Sequence, residues 1–249
     1  LPQLHESLHR LAYADHDHDS IRVEYQQEDE IKRIPIAIAI VKLLLNIPIL
    51  PSVFEINLRS VFLRLCHFLK SRVESIREVA RSTLIKIMQS LGAKHLRSLL
   101  LELQSSLRKG YQLHVLTYSI HVILENMVSV LKSGDLDDCA KLLIDIANQE
   151  LFTDIAEEKE IGKIVAKSKE AKKVKSYEIY RLIGKFISED MLIECVVPIK
   201  DIIIKAIEPK VLKKSSLCLQ KLFNGVADNE ELSTVCLLTF ILDVLEDKI

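Results

Sequence analysis

Short breaks divide the sequence after residue 52 into apolar segments of helix length. The breaks lie near Ser71, near Gly92, and at residues 108–110, 132–135, 188–190, 208–209 and 227–231. Apolar residues within the segments follow helical spacing and do not alternate as they would in a half-buried strand. Breaks at these intervals predict antiparallel helix pairs of roughly 40 residues, which is the spacing of a helical-repeat protein.

The segment VESIREVARSTLIKIMQSLG, residues 73–92, is the clearest repeat unit. Its apolar residues form one stripe along a helix: Ile76, Ala80, Leu84, Ile87 and Leu91. This pattern resembles the second helix of a HEAT repeat. With only 6 Gly and 6 Pro in 249 residues, the chain has few residues suited to tight turns. We therefore predict an all-α fold, a HEAT-like helical-repeat solenoid of antiparallel helix pairs.

The most membrane-like run is IPIAIAIVKLLLNIPILPSVF, residues 34–54. Its length approaches that of a membrane-spanning helix. A helix cannot continue smoothly through Pro48 and Pro51, however. We predict a buried helix over residues 36–46, a turn bounded by proline, and a second helix after it. The sequence therefore predicts no membrane partner.

The segment RKGYQLHVLTYSIHVILENM, residues 108–127, places two histidines in an almost continuously apolar run. Apolar residues on two opposite sides predict a helix that is packed on both. His114 and His121 share a flank with Tyr118 and Glu125. Seven residues separate the histidines by about 10 Å along the axis, too far to ligate one metal ion. We interpret them as polar groups satisfied at a seam between repeats, without a ligand-binding or catalytic role.

A lysine-rich insertion interrupts the repeat at residues 151–175, LFTDIAEEKEIGKIVAKSKEAKKVK, and delays the next clear helix to residues 176–187. Its lysines are the candidate RNA- or partner-binding residues: Lys163, Lys167, Lys169, Lys172, Lys173 and Lys175. A run of charged residues usually forms a solvated face, but this run concentrates positive charge that phosphate would attract. The next candidates are the helices around Arg108, Lys109, Lys213 and Lys214.

Alternating acidic residues and histidines mark the stretch YADHDHDSIRVEYQQEDE, residues 13–30. His16 and His18, between three aspartates, would capture a divalent metal only adventitiously, since neither a rigid element nor a shielded cavity is predicted there. We interpret the stretch as a flexible acidic loop between helices and predict no metal site.

These features divide the chain in two. Residues 1–30 are predicted to be a partial helix and an acidic, histidine-containing linker. Residues 31–249 are predicted to be the solenoid, with its insertion at about 151–175. Because there is no initiator Met and the opening LPQLHESLHRLA already has a helical pattern, we expect the sequence to be a fragment of a longer chain.

The sequence contains no recognisable catalytic motif. It lacks G-x-S-x-G, P-loop, G-x-G-x-x-G, H-E-x-x-H and C-x-x-C patterns. Five widely spaced cysteines in apolar contexts indicate reduced core thiols of an intracellular protein. A net charge of -1 gives no global attraction for nucleic acid. We predict a non-enzymatic interaction scaffold with no catalytic or metal-binding residue, no cofactor and no small-molecule substrate.

Several stretches are similar, in order and over nearly the whole chain, to one known family. They include LCHFLKSRVESIREVARSTLIKI, RKGYQLHVLTYSIHVIL, GDLDDCAKLLIDIANQELF and the AEEKE and KSYEIY parts of the insertion and its following helix. These stretches resemble a C-terminal portion of the very large HEAT-repeat component of the small-subunit processome, the DRIM (down-regulated in metastasis) family.

The resemblance implies a nucleolar, non-enzymatic scaffold that supports pre-rRNA processing towards 18S rRNA and assembly of the small ribosomal subunit. Its implied partners are processome assembly factors, pre-rRNA and the processome small nucleolar RNA. Two other classes stay open. A HEAT-type nuclear transport receptor, or another protein–protein scaffold, would show an acidic concave surface or apolar pockets, and an enzyme hidden in a helical fold would depend on His114 or His121.

Overall fold

The computed structural model describes residues 1–9, 20–108, 110–153, 169–172 and 174–246. Its α-helices are α1 (Pro2–His9), α2 (Ser20–Arg33), α3 (Ile36–Asn46), α4 (Pro51–Phe68), α5 (Glu74–Leu91), α6 (Leu96–Ser106), α7 (Gln112–Met127), α8 (Asp137–Phe152), α9 (Ser176–Phe186), α10 (Leu192–Lys205), α11 (Pro209–Ala227) and α12 (Thr234–Leu245). Short 3-10 turns precede α6 and α10, at Ala93–His95 and Glu189–Met191. These residues contain no strand, and the all-α prediction is confirmed.

The helices from α4 onwards pack in two layers. The first layer contains α4, α6, α8 and α10, and each of these contacts the next. The second layer contains α5, α7, α9 and α11, which contact one another in the same order. Each second-layer helix also packs on the first-layer helix that precedes it in the chain. This arrangement of antiparallel pairs is the predicted HEAT-like solenoid.

Helices within the second layer run parallel. Arg81 Nε donates to Ser119 Oγ at 3.2 Å, and Gln89 Nε2 donates to the carbonyl oxygen of Asn126 at 3.0 Å, so α5 and α7 advance together. All four helices therefore begin on one side of the layer, which we call the N-terminal edge, with the connections that lead into them. The opposite side, where these helices end, is the C-terminal edge.

Prolines fix the helix boundaries predicted near the N-terminus. Helix α3 covers Ile36–Asn46, as predicted, and α4 begins at Pro51, whose missing amide hydrogen costs nothing in a first turn. Gly92 ends α5 with a φ of 74°, a conformation that favours glycine. Within the described residues, no helix combines the length and apolar character needed to cross a bilayer.

The linker prediction is wrong from residue 20 onwards, because helix α2 covers Ser20–Arg33. Two ion pairs at i, i+4 spacing support it, Asp29 to Arg33 at 2.8 Å and Glu28 to Lys32 at 3.6 Å. An acid placed four residues before a base stabilises a helix, and this span contains neither Gly nor Pro. The candidate metal-capturing residues His16 and His18 lie outside the described residues.

Two glycines bring α9 and α11 into backbone contact. A Cβ atom on Gly184 would lie 2.2 Å from the carbonyl oxygen of Leu222, and one on Gly225 would lie 1.9 Å from that of Arg181. No other residue fits at either position without moving a helix. This contact lies near the C-terminal ends of both helices.

The cysteines are free thiols, and four of them are buried: Cys66, Cys139, Cys195 and Cys218. Burial raises the pKa of Cys139 to about 11 and those of Cys195 and Cys218 to about 12. These thiols therefore stay protonated and unreactive near neutral pH. The prediction of core cysteines is confirmed for these four residues, whereas Cys236 is only half-buried.

Candidate nucleic-acid interface

The structure describes three of the six lysines predicted as a binding site: Lys169, Lys172 and Lys175. The other three lie outside the described residues: Lys163, Lys167 and Lys173. Lys172 is exposed, and Lys175 is half-buried directly before α9. Exposed Lys169 donates from Nζ to Glu78 Oε1 at 2.9 Å, a hydrogen bond that raises the pKa of the Lys169 ammonium. Lys169 and Lys172 are therefore solvent-accessible.

Glu170 anchors the end of the insertion to α5. Its side chain is 1% exposed, although lysines flank it in the sequence. Arg77 donates from Nε to Glu170 Oε1 and from Nη2 to Oε2, both at 2.8 Å. Arg81 Nη2 donates to Oε1 at 2.9 Å. Two guanidinium groups thus hold one buried carboxylate, the strongest type of hydrogen-bonded ion pair in proteins.

Both arginines make further contacts. Arg81 Nε donates to Ser119 Oγ, and the Arg81 guanidinium lies 4.7 Å from the centre of the Tyr118 ring. Arg77 Nη1 donates to the carbonyl oxygens of Ser71 and Arg72, at 3.0 and 3.1 Å. Burial alone would lower the pKa of Arg77, but the bonds to Glu170 outweigh it and raise the pKa. Residues of the chain itself therefore surround both guanidinium groups.

The start of the insertion is held elsewhere, on α11. Lys214 Nζ donates to the carbonyl oxygen of Leu151, near the end of α8, at 2.6 Å. One end of the insertion thus lies beside α11, and the other lies on α5. Helices α7 and α9 stand between these two anchors in the second layer. Both anchors are at the N-terminal edge, so the described ends of the insertion lie on that side of the solenoid.

The first histidine of α7 lies at a seam between three helices, which confirms its interpretation as a satisfied polar group. His114 Nδ1 is 2.8 Å from Glu150 Oε1 on α8, and Ser176 Oγ at the start of α9 donates to Glu150 Oε2. All three side chains are buried. Serine and histidine meet the same carboxylate and are not bonded to each other, so they do not form a nucleophile and its base.

His121 is also buried but is less completely bonded. Its Nε2 lies 3.6 Å from Glu125 Oε2, and within the described residues its Nδ1 has no hydrogen-bond partner. Burial, reinforced by the nearby Lys175, lowers the pKa of His121. The ring is therefore neutral at physiological pH. Sequence spacing placed both histidines on one flank, but only contacts across helices separate their environments.

No metal centre is apparent in the part of the chain that the structure describes. No group of three His, Cys, Asp or Glu side chains there is arranged to hold an ion. The sequence analysis missed Glu170 as the anchor of the insertion, because this residue lies within a run of lysines. A single acid in a basic, insertion-like segment was the available hint, but its partners lie 89 and 93 residues earlier in the sequence.

Comparison with known proteins gives one family. Residues 24–245 match the model of the U3 small nucleolar RNA-associated protein 20 domain. A relative from Schizosaccharomyces pombe, named U3 small nucleolar RNA-associated protein 20, is 32% identical over 214 residues, or 86% of this chain. Its namesake from Saccharomyces cerevisiae is 31% identical over 224 residues, or 89% of the chain. The chain spans 8% and 9% of the lengths of these relatives. A match from residue 24 to residue 245, across α3 to α12, shows that the chain belongs to the U3 small nucleolar RNA-associated protein 20 domain family.

Proposed function

We propose that this chain is a non-catalytic helical-repeat scaffold of the small-subunit processome that supports pre-rRNA processing towards 18S rRNA. The family match over residues 24–245 carries the proposal, because both relatives are named for association with the U3 small nucleolar RNA. The two-layer solenoid supports it, since such folds present long surfaces for partners. We also propose that the family is the large HEAT-repeat DRIM component that the sequence resembles.

The proposed partners are processome assembly factors, pre-rRNA and U3 small nucleolar RNA, and the proposed location is the nucleolus. Within the chain, we propose the lysine-rich insertion at about 151–175 as the main partner-facing segment. Lys169 and Lys172 are exposed near the end of this segment, and Glu170 fixes that end on α5. The division into an N-terminal part, residues 1–30, and a solenoid, residues 31–249, belongs to the same proposal, although helix α2 crosses its boundary.

Co-purification in cells tests this function. The full-length protein that contains this chain would carry an affinity tag, and the recovered RNA would be sequenced after gradient sedimentation. We expect U3 small nucleolar RNA and 18S precursors in the tagged fractions, with accumulation of unprocessed precursor when the protein is depleted. Recovery without either RNA, together with normal 18S maturation after depletion, would overturn the proposal.

A nuclear transport receptor is the alternative from a different class. The feature expected of it was an acidic concave surface or apolar cargo pockets. Instead, the described lysines of the insertion place positive charge at the N-terminal edge of the second layer. A further difference is that neither relative is named for transport. Binding of the purified chain to Phe-Gly peptides would favour the receptor.

A further inference from the structure

Basic side chains recur at the N-terminal edge in four successive repeats. They lie before or within the first turns of α5, α7, α9 and α11: Lys70, Arg72, Arg108, Lys169, Lys172, Lys175, Lys210 and Lys213. Lys70 and Lys175 are half-buried, and the others are exposed. We call these eight residues the basic strip. Only three of them belong to the lysine-rich insertion, so the strip extends well beyond it on both sides.

Contacts between neighbouring repeats make the strip continuous. Tyr111 Oη donates to the carbonyl oxygen of Lys70 at 3.0 Å, which joins the connection before α7 to the one before α5. Glu170 joins the insertion to α5, and Lys214 joins the first turns of α11 to the end of α8. Helices α5, α7, α9 and α11 also contact one another in order. The strip therefore follows one edge of a single packed layer.

Among the described residues, few acids oppose the strip. Glu170 is buried between two arginines, and Glu78 is bonded to Lys169. Glu178, in the first turn of α9, is paired with Arg181 and Lys221, so all three acids are already neutralised. Glu74 and Glu208 are the exposed acids next to the strip. Among the described residues, the basic side chains that make no ion pair include Arg72, Arg108, Lys172 and Lys213. Positive charge on the strip is thus available to an external anion.

The C-terminal edge has the opposite character. Its connections and adjoining turns carry eight acids: Asp135, Asp137, Asp138, Glu189, Asp190, Asp228, Glu230 and Glu231. The bases of the same connections and turns are Lys94, Arg97, Lys132 and Lys185. Among the described residues, acids therefore outnumber bases at this edge, although the net charge of the chain is only -1. A polyanion would approach the N-terminal edge and be repelled from the C-terminal edge.

We propose that the basic strip binds the sugar–phosphate backbone of single-stranded RNA and does not read its bases. A line of Lys and Arg along a packed edge suits a chain of phosphates, whose attraction is long-ranged and independent of sequence. Tyr111 is half-buried and its hydroxyl is already bonded, so it offers no stacking platform for a base. This inference rests on the proposed function and names the surface and the chemical group that would perform it.

An acidic protein surface is the competing occupant. The strip crosses four repeats as a narrow line, whereas protein interfaces have an apolar core surrounded by charge. In the described residues, the large apolar side chains exposed next to the strip are Val174 and, around the connection before α11, Ile204, Ile207 and Leu212. The last three lie at one end of the strip, and the basic residues from α5 to α9 surround no exposed apolar core. The arrangement along most of the strip therefore favours a nucleic-acid backbone.

Paired charge reversals test the proposal on the whole 249-residue chain. The probe is a fluorescein-labelled 20-nucleotide polyuridine RNA, and fluorescence anisotropy measures its affinity over a range of salt concentrations. One variant combines R72E with R108E, and a second combines K210E with K213E. The matched control combines K86E with K132E, which makes the same change in net charge with exposed lysines outside the strip. Circular dichroism melts verify that each variant is folded.

We expect each strip variant to lose about tenfold or more in affinity at low salt and to reduce the salt slope by about 1.4, because one phosphate contact on a single strand corresponds to a slope of about 0.7. The control should stay within about twofold of the unaltered chain. Equal losses in the control, or unchanged affinity in both strip variants, would overturn the proposal. Unchanged RNA binding with loss of processome proteins from a full-length pull-down would assign the edge to an acidic protein.

The test of the basic strip can be distinguished from the test of the proposed scaffold function. If the strip variants bind RNA normally while the full-length protein still recovers U3 small nucleolar RNA, the strip proposal fails and the scaffold function stands. If the strip binds RNA in solution but the full-length protein recovers no processome RNA, the scaffold function fails and the strip remains an RNA-binding surface.

Discussion

Individual buried polar residues hold this solenoid together across repeats. Glu170 is accommodated because two guanidinium groups surround its carboxylate, and Glu150 because it meets His114 and Ser176. A buried charge without such partners would be strongly destabilising. His121 avoids a buried charge in a different way, because burial lowers the pKa of its ring and leaves the ring neutral. Glu170 and Glu150 each connect segments that are far apart in the sequence.

Replacing Glu170 with Gln should free the end of the insertion. The substitution keeps the shape but removes the charge that balances Arg77 and Arg81, and breaking one partner of a buried ion pair costs roughly 3 kcal/mol or more. We expect lower stability in urea unfolding and faster trypsin cleavage within residues 154–175. The control is Glu78→Gln, which removes the exposed pair with Lys169 and should leave both measurements nearly unchanged. Equal behaviour of the two variants would contradict the anchoring role of Glu170.

The lowered pKa of His121 predicts a dependence of stability on pH. Below its ordinary value of 6.5, the unfolded chain binds a proton at this ring that the folded chain does not. The free energy of unfolding should therefore fall as pH decreases from about 6.5. In His121→Gln this fall should be shallower, although His67 and His95, whose pKa values are lowered by burial too, will retain part of it. Urea unfolding at several pH values gives the slope, and an unaltered slope would refute the assignment.

Among the elements, the contact between α9 and α11 is the closest. Helices usually pack with their axes 8–10 Å apart because side chains separate them. Gly184 and Gly225 remove those side chains where the two helices meet. Asn229 strengthens the same junction by donating from Nδ2 to the carbonyl oxygen of Ile187 at 2.9 Å. The end of the second layer therefore depends on two residues that contribute no side chain of their own.

Replacing Gly225 with Ala should destabilise the protein despite the better helix propensity of alanine. Propensity alone would stabilise by about 0.5–1 kcal/mol, but the added carbon meets the carbonyl oxygen of Arg181 and forces the helices apart. We expect a net loss of about 2 kcal/mol in chemical unfolding. Asn224→Ala, at the exposed neighbouring position of α11, is the control and should change stability little. A Gly225→Ala variant as stable as the unaltered chain would disprove the close contact.

Local signals predicted the elements well and their partners poorly. The prolines around α3 and the apolar stripe of α5 fixed those helices, because both act within a few residues. Glu170 and Arg77 are 93 residues apart, so no local pattern links them. The glycines gave a weak hint, since glycine inside an amphipathic helix often marks a close approach of another backbone. For α2, charge composition suggested a loop, but i, i+4 ion pairs prevailed.

At the scale of the whole molecule, packing is unequal along the solenoid. A repeat protein gains stability from interfaces between neighbouring repeats, so each helix depends on the neighbours that cover it. The middle of the second layer is covered on both sides by α5, α7 and α9. Helix α12 exposes several large apolar residues: Val235, Leu238, Ile241, Leu242 and Val244. Its ring contact, between Phe240 and Phe223, has centroids 6.0 Å apart.

Hydrogen exchange should follow this gradient of coverage. Amides of α12 should exchange faster than those of α7 and α9, because few buried contacts oppose local opening of α12. Mass spectrometry of peptic fragments of the 249-residue chain measures both regions in one experiment. Comparable protection of α12 and α9 would show that the terminal helix is as stable as the centre of the layer.

The parallel second layer also sets the distance between equivalent positions of successive repeats. Equivalent positions at the N-terminal edge recur once per helix, about 8–10 Å apart where side chains separate the helices and closer where α9 meets α11. One strand of DNA advances about 3.4 Å per nucleotide. By that measure, a repeat would span about two to three nucleotides of a strand bound along the edge. A strand laid along it would be measured by the number of helix pairs it passes, whatever its bases are.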